Sequence, residues 1–62
     1  MIDEAQIAAL LVQGRSNREI ADEVFVSQET VKATVARILR KLGAANRVEA
    51  VATILRFGAP NS

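Results

Sequence analysis

The sequence contains no cysteine and no histidine. Disulfide bonds, thiolate chemistry, imidazole catalysis and the usual zinc sites are therefore excluded, and we expect no metal and no cofactor. No apolar run approaches the length of a membrane span, so no membrane partner is expected. The first residues also lack the basic segment that begins a secretory signal. These absences fit a cytoplasmic protein.

The chain is short, with 62 residues, and is rich in apolar side chains. That length allows one domain, spanning residues 1–62, with a small core and modest stability. Half of the residues (50%) are hydrophobic, which suits a compact helical bundle and is too much for a disordered tail.

The net charge of +1 conceals an uneven distribution along the chain. Residues 1–24 hold five acidic and two basic side chains, whereas residues 25–62 hold six basic and two acidic ones. Such asymmetry suggests a face built for a polyanion, although a solvated charged helix face would give the same count.

The hydrophobic periodicity predicts four helices and no strand, near residues 4–12, 17–24, 28–42 and 47–57. Each helix follows a residue that can cap it, and the second and fourth have glutamate at the capping-box position. The predicted caps are Asp3, Ser16 with Glu19, Ser27, and Asn46 with Glu49. The predicted stops are Gly14, Gly43, and the stretch from Gly58 to Pro60.

Each helix is expected to contribute one apolar stripe to the core. Val26 and Val31 are spaced as a hydrophobic staple, which fixes the angle at which the chain enters the third helix. The predicted core residues are Ile7, Leu10, Leu11, Ile20, Ala21, Val31, Val35, Ile38, Leu42 and Val51.

The third helix has two different faces. Its inward stripe is apolar, whereas its outward stripe centres on the small residues Ala33 and Ala36, with Lys32 and Arg37 on the flanks. Small central residues let a helix approach the floor of a DNA groove, and flanking cations meet the phosphates on either wall. An ordinary amphipathic surface helix would show the same pattern, so this observation alone leaves both interpretations open.

The connection between the second and third helices is a turn of only three or four residues. Ala21 supplies a small side chain where two closely crossing helices would touch. These are the features of a helix-turn-helix. We therefore predict an all-α four-helix bundle that contains a helix-turn-helix, with the third helix as the recognition helix.

Four blocks of sequence, in order and at matching spacing, resemble the LuxR-type helix-turn-helix family. They are residues 14–21 (GRSNREIA), 26–32 (VSQETVK), 38–43 (ILRKLG) and 46–50 (NRVEA). The promoter-binding segment of bacterial sigma factors resembles the first two blocks, but the last two favour the LuxR type.

The resemblance implies the C-terminal domain of a larger bacterial transcription regulator. Upstream, members of the family usually carry a phosphorylated receiver, a small-molecule sensor or a large nucleotide-binding region. The domain itself is expected to bind double-stranded DNA sequence-specifically, with residues 28–42 in the major groove, and to form a homodimer on DNA through the fourth helix. No small-molecule ligand is expected in this domain.

The matching positions imply roles for individual side chains. Lys32 would read a base or a phosphate, and Thr30 and Arg37 would contact phosphates. Arg47 would touch the DNA backbone or brace the bundle. The whole predicted DNA-binding set is Asn17, Gln28, Glu29, Thr30, Lys32, Ala33, Ala36, Arg37, Arg40 and Arg47.

The sequence departs from the family pattern at three points. The family usually begins with a Leu-Thr and Arg-Glu stretch before the first helix, and here only Glu4 is recognisable. Ala33 and Ala36 cannot hydrogen-bond to bases, so direct readout would pass to polar neighbours. Those neighbours are Gln28, Glu29 and Lys32. Thr34 stands where histidine is frequent in the family, which is expected to alter the flank of the recognition helix.

The fourth helix carries more apolar surface than one buried stripe can use. One stripe holds Ala50, Ile54 and Phe57, with Val51 at its edge. The family resemblance places Ala50, Val51 and Ile54 inward. The opposite stripe is therefore assigned to the partner subunit, and it consists of Val48, Ala52 and Leu55.

Two other classes of function are weighed against DNA binding. An enzyme is the weakest hypothesis, because the carboxylates are scattered, no glycine-rich phosphate loop is present, and so short a bundle offers no deep pocket. A helix-turn-helix bundle that binds protein without reading DNA is the stronger alternative. Retention of Lys32 and Arg37 argues against it.

Overall fold

The computed structural model describes residues 3–59. Within that range it contains four α-helices and no strand. They are α1 (Glu4–Val12), α2 (Asn17–Val24), α3 (Gln28–Leu42) and α4 (Arg47–Phe57). The predicted all-α fold and all four pairs of helix bounds are confirmed. Pro60, predicted with Gly58 to end the fourth helix, lies outside the described residues.

Each helix begins at the cap that the sequence predicts. The Asp3 carboxylate accepts a hydrogen bond from the Ala5 amide at 2.9 Å, which satisfies one of the unpaired N–H groups of the first turn. At α2 the capping box is complete. The Glu19 amide donates to the Ser16 hydroxyl at 3.1 Å, and the Ser16 amide donates to the Glu19 carboxylate at 2.9 Å.

The cap of α3 is as predicted, and that of α4 differs in one detail. Ser27 accepts from the Thr30 amide at 3.1 Å, and Asn46 accepts from the Glu49 amide at 2.9 Å, as predicted. The Glu49 carboxylate, however, accepts from the Ala45 amide at 2.9 Å and not from that of Asn46. The box predicted at α4 is therefore only half present, because the glutamate reaches one residue further back.

Three helices end in a left-handed residue. Gly14 (φ 81°) follows α1 and Gly43 (φ 67°) follows α3, as their sequence positions predict. After α2 the same conformation is adopted by Phe25 (φ 59°), where the sequence predicted a tight turn without this feature. In each case the next amide donates to a carbonyl five residues back, at 2.9–3.2 Å, which closes the helix end. The turn between α2 and α3 therefore takes only three residues.

The core lies where α3 packs against the other three helices. Eight of the ten predicted core residues are buried, and Ala21 lies in the buried core, as the predicted close crossing of α2 and α3 requires. Leu42 and Val51 are exceptions, because they pack against the core but remain half-buried. Leu42 is the last residue of α3, and Val51 lies at the edge of the inward stripe of α4, so solvent reaches one side of each.

Val26 and Val31 both join the core, as a staple requires. Ala50 and Ile54 are buried on α4, as the resemblance implied. Ala8 is also buried, which the sequence did not reveal because α1 is apolar around most of its circumference. Among residues 3–59, no helix is both long and apolar enough to cross a membrane.

Candidate nucleic-acid interface

The outward face of α3 forms one wall of a shallow groove. The groove runs between the first half of α3 and the first residue of α2, because the short turn brings these two segments together. Its floor includes the exposed methyl groups of Ala33 and Ala36. It is lined by Asn17, Gln28, Glu29, Lys32, Ala33 and Ala36, all of them in the predicted DNA-binding set.

The cations of α3 fall into two groups. Lys32 and Arg40 are exposed, and neither forms an ion pair with another described residue. Arg37 and Lys41 instead share one carboxylate, that of Glu4. The lysine Nζ lies 2.8 Å from one oxygen of Glu4, and the arginine NH1 lies 3.2 Å from the other. A net positive charge remains at this end of α3.

Glu4 is the one charged residue in the described chain that is buried, with a side-chain exposure of 7%. The hydrogen bond from Lys41 lowers the pKa of its carboxyl below the ordinary value of 4.5, against burial, which raises it. The bond from Arg37 lowers that pKa further. Glu4 therefore stays ionised at neutral pH and ties the start of α1 to the second half of α3.

Sequence reasoning missed this ion-pair cluster. A glutamate in the first turn of a helix is ordinary, because the helix dipole favours negative charge there. Its partners lie 33 and 37 positions further along the chain, so no local pattern joins them. The signal that could have found them is Arg37 and Lys41 themselves, which are spaced four residues apart on one flank of α3.

The two threonines of α3 have different positions. Thr30 is exposed, and its hydroxyl lies 2.9 Å from that of Ser27 at the start of the helix. Thr34 is buried, with an exposure of 2%, and its hydroxyl donates to the Thr30 carbonyl at 2.8 Å. The expectation that Thr34 alters the DNA-facing flank is wrong, because the residue faces the interior and satisfies its hydroxyl within the helix.

Arg47, the first residue of α4, contacts the start of α2. Its guanidinium donates to the carbonyl oxygen of Arg15 at 3.0 Å and to the side-chain oxygen of Asn17. The sequence left open whether this arginine touches DNA or braces the bundle. The geometry shows a brace between α4 and the groove.

The outward stripe of α4 is exposed. Val48 is 78% exposed and Leu55 is 70% exposed, with exposed Ala52 between them. Phe57, which shares a stripe of α4 with the buried Ala50 and Ile54, is 76% exposed. Ile54 is the last buried residue of α4, so Phe57 lies one turn beyond the core, with the Arg56 guanidinium 5.2 Å from its ring centre.

The sequence of residues 3–54 matches the family described as "Bacterial regulatory proteins, luxR family". This chain belongs to that family. The spore germination protein GerE of Bacillus subtilis is 40% identical over 55 residues, which are 89% of this chain and 74% of GerE. Both the recognition of the family and the helix-turn-helix fold that it implied are confirmed.

Two other relatives are much longer than this chain. The DNA-binding transcriptional activator DevR/DosR of Mycobacterium tuberculosis is 41% identical over 59 residues, which are 92% of this chain and 27% of that protein. The transcriptional regulatory protein YxjL of Bacillus subtilis is 40% identical over 55 residues, 89% of this chain and 25% of YxjL. The chain thus spans about a quarter of the length of these two regulators. The family and these relatives support DNA binding and transcription regulation as its class of function.

Proposed function

We propose that this domain binds double-stranded DNA with α3 in the major groove. The observation that carries the proposal is the outward face of α3. Exposed small residues lie along its centre, polar side chains lie at its start, and cations lie along its edges. A major groove about 12 Å wide admits a helix, and the absence of bulky side chains at Ala33 and Ala36 lets the backbone approach the bases closely.

Three exposed side chains at the start of α3 would read base edges. Lys32 suits the acceptors of guanine, Gln28 suits adenine, and Glu29 suits the amino group of cytosine. Ala33 and Ala36 would contribute methyl contacts with thymine. These base contacts would give the domain its sequence preference through the first turns of α3.

Phosphate contacts would lie around this reading surface. Arg40 and Arg37 are exposed on α3, Thr30 is exposed in its first turn, and Asn17 begins α2 on the opposite side of the groove. Such contacts fix the register of the helix on the duplex without reading sequence. Arg47 would support Asn17 without lining the groove itself, since its guanidinium donates to Asn17 and to the Arg15 carbonyl.

The salt dependence of duplex binding tests this proposal. Phosphate contacts release counterions, so the logarithm of the affinity should fall linearly with the logarithm of salt concentration, at about 0.9 per neutralised phosphate. A protein-interaction module, the alternative, would not bind duplex. Arg56→Ala provides a control and should bind duplex as wild type does, because this exposed cation lies at the far end of α4. Failure of the wild-type chain to bind any duplex at low salt would refute the proposal.

We also propose that two copies pair on DNA through the outward stripe of α4. Val48, Ala52 and Leu55 lie one turn apart and are all exposed, and a contiguous apolar stripe of this kind usually marks a contact surface. The stripe is small, so the pair should form on DNA and not in dilute solution. A symmetric pair would read an inverted repeat with half-sites about one helical turn apart.

Neighbouring residues on α4 offer a matched test of this pairing. Leu55→Glu alters the exposed stripe, and Ile54→Glu places the same charge in the core. We expect Leu55→Glu to leave the melting temperature nearly unchanged and to abolish cooperative binding to two half-sites. Ile54→Glu should unfold the domain, because an unpaired buried carboxylate is costly. Cooperative binding that survives in Leu55→Glu would refute the dimer.

The domain is further proposed to act as the DNA-binding part of a larger regulator. The support is its coverage of about a quarter of DevR/DosR and YxjL, which exceed it several-fold in length. Mapping the sites that the protein occupies across a genome would identify its target sequence. An absence of enriched sites would count against a regulatory role.

A further inference from the structure

The contact between Arg47 and Asn17 crosses from one functional surface to another. Arg47 begins α4, directly before Val48 of the exposed apolar stripe. Asn17 begins α2 and lines the groove beside α3. One guanidinium therefore joins the first turn of α4 to the polar wall of the groove.

The chemistry of the two side chains fixes how the Asn17 amide is oriented. Arginine offers only donors, so the group that faces it must be the Oδ1 oxygen of Asn17, as the structure shows. The amide nitrogen, Nδ2, is then the other end of the same planar group. It carries two N–H donors, and Asn17 as a residue is half-exposed and lines the groove.

We infer that Arg47 is a positioning residue, which orients Asn17 so that its Nδ2 donates to a DNA phosphate. This inference rests on the proposed DNA binding. The ligand at this point is an anionic oxygen, because the orientation presents donors and withdraws the one acceptor of the amide. Arg47 contributes through Asn17 and makes no phosphate contact of its own.

The second hydrogen bond of Arg47 explains why an arginine suits this place. Its NH1 donates to the Arg15 carbonyl at 3.0 Å, while NH2 donates to Asn17. The rigid, planar fork of arginine spans two acceptors at once, and the carbonyl bond holds the fork in place. Lysine keeps the positive charge but has a single, flexible ammonium group in place of the fork.

The test compares Arg47→Lys, Asn17→Ala and the double variant. Each is titrated against a duplex of about two helical turns and arbitrary sequence, at several salt concentrations. Arg47→Lys and Asn17→Ala should each weaken binding severalfold, up to about tenfold, with the salt slope unchanged because no phosphate-neutralising charge is lost. The double variant should bind no more weakly than either single variant, since both remove the same contact. Arg56→Lys is the matched control and should bind as wild type does.

A second measurement begins with the wild-type domain. In the wild-type domain, adding duplex should shift the side-chain NH2 resonances of Asn17 and leave those of Asn46, which caps α4, nearly unmoved. In Arg47→Lys the selective shift should be lost.

Each alternative predicts a different result. If Arg47→Lys binds as tightly as wild type, or if the losses in the double variant add, the positioning role is refuted. A purely structural brace would lower the melting temperature of Arg47→Lys while Asn17→Ala bound normally, which also refutes it. If Arg47 itself touches a phosphate, Arg47→Ala should lower the salt slope by about one. If wild type binds no duplex at any salt concentration, the proposed function fails first and this inference falls with it.

Discussion

The outward faces of α3 and α4 differ more than the inward faces of the same two helices. Inward, both carry aliphatic side chains that pack against α1, and α3 also packs against α2. Outward, α3 exposes alanines, polar groups and cations, whereas α4 exposes Val48, Ala52 and Leu55. One kind of amphipathic helix therefore supplies the core in both places. The two helices differ in their solvent-exposed faces, which do not contribute to the core, and we expect their functions to differ for this reason.

The greatest loss of stability is expected from substitutions on the inward side of α3. Ile38 is fully buried at the centre of the core, and Ile38→Ala should reduce the free energy of unfolding by about 2–5 kcal/mol. Leu42→Ala should cost only about 1–2 kcal/mol, because Leu42 is half-buried and the sequence-based expectation of a core position is wrong. Urea denaturation measures both. Equal losses in the two variants would contradict this order.

Substitutions on the outward side of α3 should weaken DNA binding. Lys32→Ala should weaken binding to a specific site on the order of tenfold and leave the melting temperature unchanged, because the side chain is exposed. Arg37→Ala should weaken binding to all duplexes to a similar extent and lower the salt slope by about one. Because Arg37 also pairs with Glu4, this variant should lose some stability as well. A variant of Lys32 that binds normally would show that α3 does not read DNA through this residue.

The smallest change in stability is expected from the ion pairs that link α1 to α3. The folded pKa of Glu4 lies below the ordinary 4.5, chiefly because of the Lys41 hydrogen bond. Its contribution to stability is therefore fully present above pH 4.5 and is lost as pH falls through the folded pKa. Glu4→Gln should be less stable than wild type at neutral pH, and the difference should shrink under acid.

Glu19→Gln supplies a comparison for this acid effect. The pKa of Glu19 is lowered as well, first of all by the hydrogen bond from the Ser16 backbone amide, so the sign of its contribution is the same. Its carboxylate closes a cap on an exposed helix end, however, and forms no ion pair with another helix among the described residues. Salt should weaken the Glu4 effect, because Arg37 and Lys41 are partly exposed. A stability difference between Glu4→Gln and wild type that does not change with pH would contradict the ion-pair account.

Local chemistry made most of the fold predictable. Hydrophobic periodicity and side-chain caps such as Ser16 and Ser27 act within one helical turn, so the sequence alone located the helix ends. Phe25 was less predictable, because its left-handed conformation is imposed by the tight turn between two packed helices and not by its own preference.

The site was predictable to the extent that it lies on one helix face. The spacing of Lys32, Ala33 and Ala36 on α3 was sufficient to place them together, and the structure brings them into one groove. The partners of Glu4 and Arg47 were not predicted, since each contact joins residues about 30 or more positions apart. Such pairs depend on how the helices pack, which no local pattern records.

Binding of double-stranded DNA to the outward face of α3 can be followed by titrating the domain with duplex and recording its backbone amide resonances. At low salt, we expect the resonances of residues 28–37 and of Asn17 to shift, while those of residues 4–12 in α1 stay in place. Higher salt should reverse the shifts, because phosphate contacts weaken as counterions are added. Shifts in residues 4–12 with residues 28–37 unaffected would show that α3 does not face the DNA.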